Sequence, residues 1–300
     1  MTPTVLWPTL LGLSFLAAGL VTYRRDFRTH APREAFGLVA FGPAFVAAAL
    51  AAFAGEHFTA ATSLAALVPK WLPGHVFIAY FVGVAHLAAA TSFVARRYMR
   101  WSTIGLAVMF GLFVLLMDLP AAIARPSIPL NWLLAARQAT FAIGGVALFA
   151  TVTKSDSPPL SRTLATIARI WTAIVLVAYG IQHLVHPEYT PGVPSPVPTA
   201  AWVPFPQLIA YATGMLLVAS GIMMFVRRYA SAGAALGGLL MLLLTLALYV
   251  PQFFLAGNDQ ARITAINFVF DTLLFAGMLL VISKAISDTD TRANPAFPIL

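Results

Sequence analysis

The apolar positions of this sequence gather into nine long blocks separated by short polar breaks. The blocks cover roughly residues 5–22, 35–54, 75–95, 102–122, 132–153, 163–184, 206–226, 230–252 and 263–283. A helix needs about 20 mostly apolar residues to cross a bilayer, and each block comes close to that length. None alternates strictly between apolar and polar residues, so the blocks do not read as barrel strands. A helix satisfies its backbone groups within its own segment, as lipid requires. The pattern therefore predicts an all-α, polytopic membrane protein of about nine transmembrane helices.

Composition narrows the reading. Hydrophobic residues make up 60% of the 300-residue chain and charged residues 9%, against about 25% charged in soluble domains. Mean hydropathy is +0.86. A soluble enzyme, a secreted domain, a coiled coil and a disordered chain are excluded. There is no Cys, which excludes disulfides, thiol catalysis and Cys-ligated iron–sulfur or zinc sites. The net charge of +8 would suggest a nucleic-acid partner in a soluble protein. Here no basic run of that kind exists, so nucleic acid is not expected and the lipid bilayer is the first partner.

The cations also predict orientation. One set of loops holds Arg24, Arg25, Arg28, Arg33, Arg96, Arg97, Arg100, Lys154, Arg162, Arg227, Arg228, Lys284 and Arg292, against Lys70, Arg125 and Arg262 on the other. Positive loops stay in the cytoplasm. The expectation is a multi-pass protein of the bacterial cytoplasmic membrane, N-terminus outside and C-terminus inside. Trp7, Trp71, Trp132 and Trp202 then mark the outer interface, and Tyr98, Trp101 and Tyr229 the inner one. The first block lacks a basic flank before it and runs into Tyr23-Arg24-Arg25-Asp26-Phe27-Arg28. It reads as a retained anchor, not a cleaved signal peptide.

The chain repeats itself. Pro73, Ile78-Ala79-Tyr80 and Gly83 match Pro204, Ile209-Ala210-Tyr211 and Gly214, 131 residues later. At the same offset Arg96-Arg97-Tyr98 falls on Arg227-Arg228-Tyr229 and Pro120 on Pro251. Upstream, after a five-residue gap, Ala54-Gly55-Glu56-His57 aligns with Gly180-Ile181-Gln182-His183. The expected plan is an N-terminal helix with its loop (1–34), a first four-helix unit (35–153) and a polar, Pro-containing linker (154–162). A second four-helix unit (163–285) and a cytoplasmic tail (286–300) follow. An even number of helices per unit makes the two repeats parallel, related by an axis along the membrane normal.

The Gly-x-x-His at the end of a unit's first helix, Gly180-x-x-His183, resembles the DoxX/DoxD family. So does Val68-Pro69-Lys70-Trp71-Leu72-Pro73, echoed by Trp202-Val203-Pro204. The Arg137-Gln138 pair is similar to one in that family's last helix. The first copy departs from the pattern with Ala54 in place of the glycine, and the second has Asp271 near the Arg/Gln level. The resemblance covers roughly residues 40–285 as two tandem copies. It implies a membrane subunit of a quinone-linked oxidoreductase complex, with a periplasmic or membrane redox partner protein and a quinone as ligand.

Six residues stand out as ligand-binding candidates. Asp118 and Arg137 lie at similar depth on neighbouring helices, either as a polar floor for a ligand or as a structural ion pair. Intramembrane charges are costly and commonly paired. His57 and His183 are the repeat-related pair, with Glu56 and His186 beside them. Imidazole near neutrality can pass a proton or hold a ligand. His183 and His186 fill only part of a metal shell, so no metal site is predicted and haem is disfavoured. His86, alone in an apolar span, reads as a packing residue bonded across helices. The Pro-rich stretch 187–206 reads equally as a lid, a docking surface or a stiff connector. A transporter and a non-catalytic scaffold or assembly protein are the alternatives to the redox subunit.

Overall fold

The structure, a computed structural model, describes residues 1–30 and 37–290. Arg33 and Arg292, two of the cations used to orient the chain, lie outside the described residues, as does the tail from 291 onward. Nine helices among the described residues are long and apolar enough to cross a membrane. They are span 1 (Pro3–Thr29), span 2 (Gly37–Thr59), span 3 (His75–Ala95), span 4 (Met99–Ala124) and span 5 (Pro129–Thr153). Span 6 (Pro158–Val185), span 7 (Pro206–Phe225), span 8 (Arg227–Leu255) and span 9 (Asp259–Thr289) complete the set. The protein is an all-helical, multi-pass membrane protein.

Helix boundaries depart from the apolar blocks where charged residues still suit a helix. The first helix continues through Arg24, Arg25 and Arg28 to His30, and Asp26 bridges Arg96 at 3.0 Å. The last helix runs on to Asp290, with Asp288 2.9 Å from Lys154. So 286–290 belongs to span 9 rather than to a tail. The linker is shorter than 154–162, because Pro158 and Pro159 open span 6. Proline suits a helix start, where its missing N–H is not needed.

Spans 4 and 8 share an irregularity. Each widens into a π turn, at Val114–Asp118 and Thr245–Tyr249, just before Pro120 and Pro251. A proline clashes with the carbonyl four residues back. The wider turn absorbs that clash. The two turns lie 131 residues apart, the offset of the sequence repeat.

Small residues set the close crossings. A Cβ on Gly145 would stand 2.8 Å from the Ala107 amide nitrogen, and one on Gly238 would stand 3.2 Å from the Ala276 carbonyl oxygen. These two contacts are also 131 apart, with glycine and alanine exchanged between partners. Span 1 docks on span 2 in the same manner, with Gly55 against the Pro8 backbone and Gly19 against Ala44. In lipid such close packing, not the hydrophobic effect, holds helices together. Span 9 is the most enclosed helix and span 4 the least. A run of rings crosses the centre from span 4 to span 6: Phe110–Phe141 (5.2 Å), Phe141–Phe275 (6.1 Å) and Phe275–Tyr179 (5.5 Å).

Candidate functional site

The weakest packing between consecutive spans, that of span 3 on span 4, opens a cleft of about 870 Å³. Its length follows span 4 from Trp101 to Met117. The walls are apolar, and several wall residues are also on the exposed surface: Phe81, Val108, Leu112 and Trp101. Gly105 lies in the wall, and a Cβ there would meet nothing within 4 Å. Leu64, Leu67, Val68, Pro69 and Leu72, from the segment between spans 2 and 3, cover one end. That end of the bundle, where spans 2 and 6 finish at His57 and His183, is called the histidine end below.

One part of the cleft is polar. Glu56 and His57 reach it from span 2, His86 from span 3, Arg137 and Gln138 from span 5, and Asn267 and Asp271 from span 9. At 1.5 Å per residue, Arg137 is about 12 Å along span 5 from the histidine end. Arg137 Nη1 donates to Asp271 Oδ2 at 3.1 Å. His57 Nδ1 donates to the Phe53 carbonyl at 2.8 Å, one turn back in its own helix. The His57 and His86 rings stand edge to face, 5.2 Å apart.

Four polar atoms here are buried with no hydrogen-bond partner among the described residues: Glu56 Oε1, both ring nitrogens of His86, and Arg137 Nε. Buried polar groups are nearly always hydrogen-bonded, and each exception calls for an explanation such as a bound water, ion or ligand. Here they fall in the wall of one long, mostly apolar cleft. That arrangement suits a molecule with a hydrocarbon body and a small polar head.

The structure brings three of the six candidates together: Glu56, His57 and Arg137. Asp118 sits on the π turn of span 4, with Oδ2 buried and unpartnered, and is not among the cleft walls. In place of an Asp118–Arg137 ion pair, one of the two readings of those residues, Arg137 pairs with Asp271 and ties span 5 to span 9. His86 is also corrected: it forms no hydrogen bond across helices among the described residues and instead lines the cleft. Asn267 and Asp271 were missed as a set. Their four-residue spacing puts both on one face of span 9, and that face was legible in the sequence.

His183 and His186 lie elsewhere. His183 is buried, and its Nε2 donates to the Gly192 carbonyl at 2.8 Å. Tyr249 Oη donates to the Pro191 carbonyl at 2.7 Å. Residues 190–194 are buried against the second half, so the Pro-rich stretch is an inserted plug there and not a lid over the cleft. His186 is half-buried and its Nδ1 is 3.0 Å from Glu188 Oε1. Glu188's carboxyl is held below its ordinary range by its own backbone N–H and by His186. Among the described residues, no group of three or more His, Asp or Glu side chains is placed to hold a metal ion.

The plug makes a prediction. Gly192 has φ +129°, and a Cβ there would stand 2.9 Å from Tyr249 Oη. Gly192→Ala should cost about 1–3 kcal/mol through backbone strain and crowding. A lower thermal unfolding midpoint in detergent is the expected reading, with ligand binding at the distant cleft unchanged.

No family model matches this sequence, and no curated protein or solved structure matches it either.

Proposed function

We propose that this protein is an integral membrane subunit of a redox complex, and that its cleft takes a quinone or a similar lipophile directly from the bilayer. The observation that carries this reading is the union of the apolar, surface-open cleft with four polar atoms in its wall that have no partner among the described residues. Ligand pockets of this kind are mostly apolar with a few placed polar groups, and run to about 300–1,000 Å³. The opening between spans 3 and 4 lies on the surface that faces lipid, so a tail enters sideways and the head reaches Glu56, His57, His86 and Arg137. The resemblance to the DoxX/DoxD family supports the redox setting. The positive loops support a histidine end facing outward, where a partner protein would exchange electrons with the bound ring.

The test is a titration of the purified protein in nanodiscs with decylubiquinol and decylubiquinone, followed by tryptophan fluorescence. Trp101 lines the cleft and is the expected reporter. Saturable binding at one molecule per chain, lost in Glu56→Ala and His86→Leu, is the expected result. Partitioning without saturation, or binding indifferent to both variants, would overturn the proposal.

A further inference from the structure

We infer that the cleft accepts only uncharged head groups that carry a hydroxyl, and so prefers the reduced, quinol form of a quinone couple. The inference rests on the lipophile-binding reading above and deepens it.

Charge comes first. Arg137 and Asp271 cancel one another at 3.1 Å. Glu56 adds either nothing or one negative charge. In neither state does the polar end hold net positive charge to offset the desolvation of an anion, which is costly at membrane depth. A carboxylate, sulfate or phosphate head group is therefore excluded, although an arginine stands in the wall.

Hydrogen-bonding capacity comes second. Arg137 Nε can only donate. A neutral His86 ring offers one donor and one acceptor, whichever nitrogen holds the proton. Both ring nitrogens are buried and have no partner among the described residues. A ligand that satisfies this set must accept from Arg137 and donate to His86. An ammonium donates but cannot accept. A sulfate accepts but cannot donate. A quinone carbonyl accepts only. A hydroxyl does both.

The test uses compounds with one tail and different heads: oleyl alcohol, oleyl sulfate and oleylamine, with decylubiquinol and decylubiquinone as a second pair. Each is titrated against the wild-type protein in nanodiscs. Oleyl alcohol is expected to bind at least tenfold more tightly than either charged analogue, and the quinol tenfold more tightly than the quinone. Asp271→Asn removes the charge that balances Arg137, and should tighten oleyl sulfate at least threefold while leaving it weaker than the alcohol, because a sulfate still cannot donate to His86. If that variant does not purify as a monodisperse protein, the wild-type series still decides. Oleyl sulfate, oleylamine or the quinone binding within threefold of its hydroxyl counterpart would overturn the head-group rule and leave the lipophile site standing. If no compound binds saturably, the lipophile site itself falls.

Discussion

Arg137→Leu is expected to destabilise this protein by about 3 kcal/mol, and Arg137→Leu with Asp271→Leu is expected to recover most of that loss. The pair joins span 5 to span 9, in the centre of the bundle, at 3.1 Å. Both side chains are largely buried, with the remaining exposure directed to the cleft. Removing one member strands the other's charge away from water, which costs about 3–5 kcal/mol in buried pairs. The partial exposure puts this case at the lower end. Replacing both members with apolar residues removes the stranded charge, and such exchanges are often close to neutral. In lipid the leucine pair also packs well. Thermal unfolding of the three variants and the wild type in one detergent measures the effect. A single variant as stable as the wild type, or a double variant no better than the worse single, would show that the pair does not hold the two halves together.

The same pair shows what the sequence allowed and where it stopped. Span number and helical class followed from apolar block length, because lipid admits few alternatives to a helix. The helix ends did not, because arginines after an apolar block continue a helix as well as they end a span. Arg137 was recognisable as a charge in need of a partner. Asp118 was the nearest in depth along the chain, but depth says nothing of which side of a helix a residue faces. The π turn at Val114–Asp118 rotates Asp118 relative to a regular helix, and Pro120 signals a disturbed helix without fixing the direction Asp118 then faces. His86 failed for a related reason. A lone histidine in an apolar span is a packing residue only if a partner lies opposite, and the opposite side is a cleft.

Some contacts recur at the offset of the matching sequence positions. The two π turns and the two glycine–alanine crossings recur at the 131-residue offset. At that offset Leu217 stands for His86, Phe268 for Arg137 and Tyr249 for Asp118. The second half therefore lacks the polar set, and His183 binds the inserted loop instead. His57 lines the cleft while His183 is bonded to the loop at Gly192, so a search for symmetric function at the two histidines misleads.

Gly105 is the simplest cause of that asymmetry, and Gly105→Leu should close the site. Leu236 occupies the corresponding place in span 8, where the helix packs closely on span 7. In span 4 a side chain at 105 would project into open space. Leucine there also removes a helix-interior glycine, which favours the helix by up to about 1 kcal/mol. The variant should therefore fold at least as well as the wild type. A leucine that denies the ligand tail about 100 Å² of apolar wall removes about 2.5 kcal/mol of burial energy, close to a 70-fold loss of affinity. Quinol titration and a melting curve on the same preparation test both halves of the expectation. Unchanged affinity would mean that the tail does not run along span 4. A lowered melting point would mean that span 4 needs its glycine for packing, and that the cleft is narrower in the membrane than its walls imply.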